Sequence, residues 1–322
     1  MFTNKTILIT GGTGSFGKSF AKYLLANYQL KKLIIFSRDE FKQHLMQTEL
    51  VDDRLRFFLG DVRDKERLET AFHGVDIIIH AAALKQIPTL EYNPFEAVKT
   101  NIMGSQNIIG AAIDQHVGRV LLVSTDKAAQ PVNLYGSTKL CAEKLFISGN
   151  AYSDGYTKFS CVRYGNVLGS RGSIVETLLR DKTVAKVQIT DLAMTRFWIT
   201  LKQCFALVTY ALNNMEGGEI FIPKIPSMRL VDLFNVLAPQ AEKEIIGIRP
   251  GEKLHEILLT EQEALHAVEL EHYFVVLPEF LPQERYRKYF DFSRALPNNF
   301  RYTSDTNNQW LTNEQLLDLI QP

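Results

Sequence analysis

The chain has 322 residues, enough for one large domain or two ordinary ones. Hydrophobic residues make up 46% and charged residues 22%, a balance typical of globular proteins and unlike that of disordered chains. Lysine plus arginine equal aspartate plus glutamate at 36 each, so no overall charge favours nucleic acid or an anionic membrane as a partner. The three cysteines lack metal-ligand spacing, which indicates reduced thiols in a cytoplasmic protein.

Short β-branched runs alternate with helical patterns in the first half of the chain. We predict strands at 6–10, 32–36, 56–59, 76–80, 119–124 and 159–163. Apolar strands separated by helices predict an α/β fold with a doubly wound parallel sheet. No apolar run reaches the ~20 residues that span a bilayer, so we expect no membrane segment. Near residue 165 the alternation ends, which predicts a nucleotide-binding part at 1–165 and a smaller substrate-binding part at 166–322, packed as one body.

A glycine-rich segment follows the first predicted strand and opens the first helix. Gly12, Gly14 and Gly17 match the spacing G-x-G-x-x-G, while Gly11, Gly14 and Gly17 match a wider frame. Glycines let the backbone approach a pyrophosphate, and the helix N-terminus offers free N–H groups and a positive dipole. A glycine-rich turn without a ligand is the alternative, which the strand-and-helix context disfavours. The predicted dinucleotide contacts here are Gly11, Thr13, Gly14, Ser15, Phe16 and Gly17.

The end of the second strand bears on which dinucleotide binds. An NAD site places an acidic residue there for the ribose hydroxyls, whereas an NADP site uses arginine for the 2′-phosphate. Ser37 stands where the acid is expected, Arg38 follows, and Lys42 is close enough to help. We therefore favour NADP, although Asp39 would take the ribose if the strand ended later. Arg38 as a solvated residue at a helix start is the other alternative.

Two later strand ends complete the expected cofactor site. Asp61 and Val62 follow the third strand and suit the edge of an adenine ring. Three alanines follow the fourth strand and let the backbone pass close to a cofactor. The predicted contacts here are Asp61, Val62, Ala81, Ala82 and Ala83.

Tyr135 and Lys139 form a possible acid–base pair. A nicotinamide enzyme acting on an alcohol needs a base for the hydroxyl proton, and Tyr135 can serve if its pKa falls well below the usual ~10. Lys139 lies one helical turn away on the same face, where its charge would stabilise a phenolate. Thr125 could hydrogen-bond the same substrate hydroxyl. An ordinary surface pair, and a strand-end hydroxyl bonded to backbone, are the alternatives.

Asp126 and Lys127 are the unusual residues, because a simple dehydrogenase or epimerase needs neither. Oxidation at one sugar carbon acidifies the hydrogen on the next, so a base can remove it while an acid protonates a hydroxyl one carbon further on. Lys127 as base and Asp126 as acid would eliminate water if their pKa values moved toward neutrality. Their mutual attraction opposes that shift, so desolvation or substrate must override it. A strand-end salt bridge is the alternative.

Together these motifs resemble the extended short-chain dehydrogenases/reductases, and more narrowly the soluble inverting UDP-N-acetylglucosamine 4,6-dehydratases. The resemblance covers nearly the whole chain. It rests on Thr10–Gly17, Ser124-Thr125-Asp126-Lys127-Ala128, Tyr135-Gly136-Ser137-Thr138-Lys139, Ala83–Pro88, Asn93–Ala97, Thr100-Asn101, Arg163–Val167, Met194–Phe197, Arg249–Glu256 and Tyr302–Asp305.

Two departures from related enzymes narrow the resemblance. The dTDP-glucose dehydratases have glutamate where Lys127 stands here. Membrane-anchored relatives often have methionine at the position of Tyr135 and often carry long N-terminal membrane segments, which we do not expect here. Both departures favour the soluble inverting branch. The resemblance implies bound NADP that is regenerated in each cycle, with Asn101 among its contacts, and inversion at carbon 5. It also implies that the protein forms a homo-oligomer, commonly a hexamer. The pathway it implies is the synthesis of pseudaminic acid, which is used in protein glycosylation.

A UDP-sugar needs cations for its diphosphate and polar groups for its base, ribose and sugar. The candidates lie in loops and after the strand at 159–163, where α/β folds bind ligands. Arg249 and Glu252 flank a Pro-Gly turn, so a turn-stabilising ion pair is their alternative, as a solvated loop lysine is for Lys85. His80 and His255 have no ligand set around them, and we expect no metal. The candidates are Lys85, Asn166, Arg171, Thr195, Arg249 and Glu252.

Three functions remain open from the sequence. The first is the 4,6-dehydratase acting on UDP-N-acetylglucosamine. The second is a nucleotide-sugar 4-epimerase or reductase on the same scaffold, which would not need Asp126 and Lys127. The third is a non-catalytic NADP-binding regulator, which would not need Tyr135 and Lys139.

Overall fold

The computed structural model describes residues 1–169, 173–181 and 183–320. In the first half, strands and helices alternate as predicted, and strand ends lie within a residue or so of the expected positions. The strands are β1 (Thr6–Thr10), β2 (Lys32–Ser37), β3 (Leu55–Leu59), β4 (Ile77–His80), β5 (Arg119–Val123) and β6 (Lys158–Val162). The helices are α1 (Ser15–Asn27), α2 (Glu40–Glu49), α3 (Lys65–Phe72), α4 (Ile87–Tyr92), α5 (Pro94–Ala97), α6 (Gly104–Asp114) and α7 (Leu134–Gly149), with a π-helical turn at Val98–Met103 and a 3₁₀ turn at Asp126–Ala128.

The second half has shorter and more irregular elements. Its strands are β7 (Asn166–Val167), β8 (Lys186–Ile189), β9 (Thr195–Ile199), β10 (Ile220–Pro223), β11 (Ser227–Arg229), β12 (Glu242–Ile245), β13 (Ile257–Leu259), β14 (Ala267–Glu269), β15 (Tyr273–Val276) and β16 (Tyr302–Thr303). Its helices are α8 (Ile174–Arg180), α9 (Leu201–Asn214), α10 (Leu230–Leu237), α11 (Glu261–Ala264), α12 (Arg287–Phe290) and α13 (Asn313–Ile320), with a 3₁₀ turn at Gln283–Tyr286.

Nine strands form the central sheet in the order β14-β15-β10-β6-β5-β4-β1-β2-β3. The seven strands from β10 to β3 run parallel, and β15 and β14 add antiparallel pairs at one edge. All five residues of β1 are buried, as expected for a strand covered on both faces. The doubly wound α/β fold predicted from the sequence is confirmed. The strand order reverses between β1 and β4, and ligands of such folds bind beyond the carboxyl ends at that point.

The residues beyond 165 are interleaved with the central sheet. They supply β10, β14 and β15, while the remaining strands form the small sheets β11-β9-β7, β12-β8 and β13-β16. A second apolar core lies beside the small sheets and includes Val175, Ile189, Trp198 and Leu233. The division at residue 165 stays a prediction. Over the described part of the chain, no helix has the length and apolarity needed to cross a membrane.

Candidate active site

The glycine loop between β1 and α1 lies against the strand-end backbone of β4. Gly11 has φ +64°, and a Cβ there would stand 2.8 Å from the backbone nitrogen of Ala82. A Cβ on Gly17 would stand 2.6 Å from the Cα of Gly12. Only glycine fits these positions, because any side chain would push the loop away from α1 and β4. The loop thus presents bare backbone at a helix N-terminus, a cradle that fits a dinucleotide pyrophosphate.

This loop borders a cavity of about 800 Å³ along the carboxyl ends of the strands. The cavity brings together residues that are far apart in the chain, including the catalytic candidates Thr125, Asp126 and Lys127. The other predicted residues that line it are Gly11, Thr13, Gly14, Ser15, Phe16, Gly17, Ser37, Arg38, Lys42, Asp61, Val62, Ala81, Ala82, Ala83, Lys85, Tyr135, Lys139 and Asn166.

The carboxylates near the end of β2 are already engaged. β2 ends at Ser37, and Asp39 caps α2 by accepting from the Lys42 backbone N–H at 2.9 Å. The ammonium of Lys42 also lies 2.7 Å from Asp39, and these bonds hold the pKa of Asp39 below its ordinary value. Arg38 has an exposed side chain at the cavity, 3.9 Å from Asp61. The strand end therefore presents a guanidinium, while the carboxylate of Asp39 serves the helix.

Asn101 is not among the described residues that line this cavity. Its side chain is buried and accepts from the Leu84 N–H at 2.9 Å, while its amide donates to the Leu84 carbonyl and to Thr138 Oγ1, both at 2.9 Å. The preceding residue, Thr100, lines the cavity instead. Asn101 therefore anchors the loop after β4 to α7, and a direct contact of Asn101 with the cofactor stays a prediction.

Asp126 and Lys127 occupy a 3₁₀ turn just beyond the carboxyl end of β5. The turn is held in place because the Asp126 N–H donates to the Tyr164 carbonyl at 3.0 Å. Thr125 Oγ1 donates to Asp126 Oδ1 at 2.9 Å, and Lys127 Nζ donates to the same oxygen at 3.0 Å. The other oxygen, Asp126 Oδ2, is buried and has no hydrogen-bond partner in the described residues. An acid and an ammonium thus meet beside the cavity.

The protonation of this pair follows from burial and from nearby charge. Burial raises the pKa of Asp126, and the charge of Lys127 offsets only part of that rise. Burial alone would lower the pKa of Lys127, but the carboxylates of Asp126 and Glu256 outweigh it and raise this pKa. Desolvation therefore moves Asp126 toward the protonated acid that elimination needs. It does not move Lys127 toward a neutral amine.

Tyr135 and Lys139 lie in the first turns of α7, one turn apart as predicted. The helix begins where the side chain of Asn133 accepts from the Gly136 N–H at 2.8 Å. Lys139 Nζ donates to the Val123 carbonyl at 2.8 Å, and burial lowers its pKa to about 8. Burial raises the pKa of Tyr135 to about 12, against the opposing charge of Lys127. The lowered pKa that Tyr135 would need to act as a base is not present in this structure, because desolvation outweighs the surrounding charge.

Gly136 sets the contact between α7 and the Asp126–Lys127 turn. A Cβ on Gly136 would stand 2.2 Å from the Lys127 carbonyl oxygen, closer than atoms can approach. The absence of a side chain lets the helix bearing Tyr135 pack directly on the turn bearing Lys127. Sequence reasoning included Gly136 in a motif without assigning it this role.

Glu256 is a charged residue at this site that sequence reasoning missed. Its carboxylate is 2% exposed, and Oε1 lies 3.3 Å from Lys127 Nζ and 3.6 Å from Arg196 Nε. Lys253 Nζ lies 3.8 Å from Oε2. Burial opposes ionisation of Glu256, but the three cations hold its pKa below the ordinary value. The sequence offered one weak signal, the charged cluster after Pro250-Gly251, and no sign of where that cluster packs.

A second cavity of about 570 Å³ adjoins the first, because Asn166 lines both. Arg249 and Glu252 line it as well, with their charged groups 3.9 Å apart. Three buried polar atoms here lack hydrogen-bond partners among the described residues: Asn166 Oδ1, Glu252 Oε2 and Trp198 Nε1. Buried polar groups are nearly always satisfied, so these three atoms make the cavity a candidate site for a polar ligand.

Two of the substrate candidates, Thr195 and Arg171, are not among the described residues that line the two cavities. Thr195 is buried, and its hydroxyl lies 2.8 Å from His255 Nδ1 and 2.6 Å from Ser304 Oγ. Arg196 and Trp198 on the same strand line the second cavity, so Thr195 faces the opposite side because side chains alternate along a strand. Arg196 therefore lines the second cavity and Thr195 does not, and a substrate contact of Thr195 stays a prediction. Arg171 lies outside the described residues.

The two histidines considered from the sequence take part in internal hydrogen bonds. His80 is buried between Thr10 and Ser105, and burial lowers its pKa to about 3, so the ring is neutral. His255 bonds to Thr195. In the part of the chain that the structure describes, no group of acidic, histidine or cysteine side chains could hold a metal ion.

A parallel sheet with a glycine-loop cradle and a Tyr-x-x-x-Lys helix defines an extended short-chain dehydrogenase/reductase. The fold agrees with the X-ray structure of Pen from Bacillus thuringiensis, with a TM-score of 0.90 and 39% identity over 99% of this chain and 98% of that one. Residues 7–278 match the family model described as polysaccharide biosynthesis protein. The chain belongs to this family.

Two relatives show how the family varies. The chain is 48% identical to the UDP-N-acetylglucosamine 4,6-dehydratase (inverting) of Campylobacter jejuni strain 81-176, over 99% of this chain and 98% of that protein. It is 41% identical to the UDP-glucose 4-epimerase of Rickettsia conorii, over 90% of this chain and 87% of that protein. The chain is thus similar both to a relative named as a dehydratase and to one named as an epimerase.

Proposed function

We propose that this chain is an NADP-dependent UDP-N-acetylglucosamine 4,6-dehydratase that inverts carbon 5. The observation that carries the proposal is the meeting of Asp126 and Lys127, 3.0 Å apart, with Tyr135 at one cavity that also borders the glycine loop. A redox enzyme without elimination has no use for the acid and the amine. The name and nearly full-length similarity of the Campylobacter jejuni relative support the same reaction.

The cofactor proposal rests on the glycine loop and the end of β2. Gly11, Gly14 and Gly17 would receive the pyrophosphate, and Arg38 would pair with a 2′-phosphate, because Asp39 is engaged with Lys42. Asp61 and Val62 would border the adenine. When bound, the nicotinamide supplies the hydride acceptor and donor that the redox half of the reaction requires.

Each catalytic side chain has a separate task. Tyr135, near Thr125, would take the proton of the hydroxyl at carbon 4, and its raised pKa means that the phenol must first lose its own proton. Lys139 lies one turn further along α7. Asp126 would donate its proton to the hydroxyl leaving carbon 6, and its raised pKa suits that role. Lys127 would remove the hydrogen from carbon 5. Its raised pKa means that the ammonium must first lose a proton.

The second cavity would hold the uridine end of the substrate. The unpaired Asn166 Oδ1 and Glu252 Oε2 would accept hydrogen bonds from the nucleoside, and Trp198 Nε1 would donate one. Arg249 and Arg196 line the same cavity and would face the diphosphate. Lys85 lines the first cavity and would reach the sugar.

A single incubation tests the proposal. The purified protein is mixed with UDP-N-acetylglucosamine in deuterated water without added reductant. We expect the product to lose the mass of one water and to carry solvent deuterium at carbon 5. The Lys127→Ala variant should dehydrate roughly 10²–10⁴-fold more slowly while keeping the wild-type circular dichroism spectrum. Near-normal dehydration by this variant would refute the role of Lys127.

A 4-epimerase is the second candidate, favoured by the name of the Rickettsia conorii relative. In the same incubation an epimerase would leave the substrate mass unchanged and form the 4-epimer. Tight NADP binding without turnover would indicate a regulator. We keep as proposals a cytoplasmic homo-oligomer, hexameric by resemblance, and a role in pseudaminic acid synthesis. Light scattering tests the first, and product analysis tests the second.

A further inference from the structure

A second carboxylate touches the amine that the elimination requires. Lys127 Nζ lies 3.0 Å from Asp126 Oδ1 and 3.3 Å from Glu256 Oε1, so it bridges two buried acids. A lysine held between two carboxylates is a poor base, because both favour its charged form. If Lys127 accepts a proton from carbon 5, one of these carboxylates must first accept a proton from Lys127.

The two carboxylates are not equivalent in this respect. Burial raises the pKa of Asp126 and so favours its protonated form. In contrast, the cations Lys127, Arg196 and Lys253 lower the pKa of Glu256 and keep it ionised. Glu256 is therefore the carboxylate of the two that is ionised in the resting site and can still accept a proton. Because its pKa is lowered and that of Lys127 is raised, the transfer is uphill, and only a small share of Lys127 is neutral at any moment. The second oxygen of Glu256, Oε2, is buried and has no hydrogen-bond partner in the described residues, so it has capacity to hold a proton.

Hydrogen bonds around Glu256 hold its carboxylate 3.3 Å from Lys127 Nζ. Its backbone N–H donates to Ser304 Oγ at 2.9 Å, and the Ser304 N–H donates back to the Glu256 carbonyl at 2.9 Å. Lys253 Nζ, three residues earlier, donates to the Ala129 carbonyl beside the catalytic turn at 2.5 Å. The segment before β13 is thus fastened to the turn that carries Lys127.

We propose that Glu256 is the proton partner of Lys127: it takes a proton from Nζ and frees the amine to act on the substrate. This inference deepens the proposed dehydratase function and rests on it. An N–H bond of Lys127 breaks and an O–H bond forms on Glu256. The neutral amine then takes the carbon-5 proton and becomes an ammonium again, while Asp126 gives its proton to the departing hydroxyl. Lys127 touches both acids, so the proton on Glu256 returns through it to Asp126 and resets the site.

The first test measures the charge on Lys127 without any substrate. Brief pulses of acetic anhydride acetylate only neutral amines, and peptide mass spectrometry reports the labelling of Lys127 against pH, with the exposed Lys31 as the internal reference. In the Glu256→Gln variant, the midpoint for Lys127 should fall by about 1–3 pH units, because one of its two carboxylates is gone. An unmoved midpoint overturns the proposal, whatever the substrate of the enzyme.

The second test follows elimination in the full enzyme with UDP-N-acetylglucosamine. Glu256→Gln should slow water loss roughly 10–100-fold at neutral pH, because Lys127 loses the proton acceptor in contact with it even though its ammonium is now less stable. The rate should recover as pH rises, because hydroxide then takes the proton from Lys127. A uniform loss at every pH would mean a merely structural role. A faster reaction at neutral pH would mean that Glu256 only holds the charge. Either result overturns the proposal.

Two further variants serve as controls. Glu263→Gln removes a carboxylate from the same part of the chain, one that pairs with Arg163 rather than with Lys127. It should leave the Lys127 midpoint unmoved. Glu256→Asp keeps the charge and should place the midpoint between those of the wild type and the glutamine variant. If the wild type fails to dehydrate the sugar while the labelling shift is present, the proposed function falls but the coupling of Glu256 to Lys127 stands.

Discussion

A single side chain, Arg38, is expected to decide whether the site binds NADP more tightly than NAD. Its guanidinium is exposed at the cavity, and the adjacent Asp39 is engaged in capping α2. Arg38→Ala should weaken NADP binding roughly 10–100-fold, because hydrogen bonds to a charged group contribute about 1.5–3 kcal/mol. Binding of NAD, measured by calorimetry on the same variant, should change little. Equal losses for both dinucleotides would contradict the assignment.

The lowered pKa of Lys139 makes the free energy of unfolding depend on pH. Its folded-state pKa is about 8, below the ordinary 10.5 expected in the unfolded chain. Between these values the unfolded state binds more protons, so stability of the wild type rises as pH rises from 8 toward 10.5. The buried charge therefore disfavours folding below pH 8 and ceases to do so above 10.5.

The Lys139→Met variant measures this contribution. Relative to the variant, the wild type should gain roughly 3 kcal/mol of unfolding free energy across that pH range, because one pKa unit corresponds to about 1.4 kcal/mol. Urea unfolding of both proteins at pH values spanning the range gives the difference, and titrations common to both cancel. A constant difference between the two proteins would show that Lys139 is not held at a lowered pKa.

At the scale of elements, the contact of α7 with the Asp126–Lys127 turn depends on Gly136. A methyl group there would meet the Lys127 carbonyl at 2.2 Å, and neither backbone segment can yield without moving a catalytic residue. Gly136→Ala should cost about 1–3 kcal/mol of unfolding free energy and most of the activity. Denaturant unfolding and the dehydration assay measure the two effects.

Gly118→Ala is the matched control for Gly136→Ala. A Cβ on Gly118 would meet the Asp76 carbonyl at 3.5 Å, an ordinary contact. This variant should keep its activity and change the unfolding free energy by far less. Comparable losses in the two variants would show that the close approach at Gly136 is not what matters.

At the scale of the whole molecule, Arg163 joins the two halves of the chain. This buried guanidinium at the end of β6 pairs with Glu143 of α7 at 2.5 Å and with Glu263 of α11 at 2.8 Å. It also donates to the Leu258 carbonyl of β13 at 3.0 Å. The Arg163 guanidinium thereby holds together the helix that bears Tyr135 and the segment that follows Glu256.

Arg163→Met should destabilise the protein by about 3–5 kcal/mol, because Glu143 would remain buried without its partner. Lys158→Met removes a half-exposed pair with Glu216 and should cost no more than about 1 kcal/mol. Since the second half also contributes β10 to the central sheet, the wild type should unfold in one transition by calorimetry. Two separate transitions would contradict the tie between the halves.

Features that depend on a short stretch of chain could be predicted from the sequence. Apolar β-branched runs predicted the strands, because a strand buried on both faces needs them. The glycine spacing predicted the cradle, since close backbone approach excludes side chains. Tyr135 and Lys139 were correctly placed one turn apart on a helix, because the helical period sets that distance.

What depends on distant parts of the chain was decided only by the tertiary structure. Sequence alone determined the fold class, the glycine loop and the position of the acid–amine pair, because each follows from neighbours in the chain. It did not determine that Glu256 packs against Lys127, that Asn101 bonds to the Leu84 loop, or that Arg196 rather than Thr195 faces the second cavity. Nor did it determine that burial raises the pKa of Tyr135. Burial and long-range charge set these properties, and both arise only when separate segments meet.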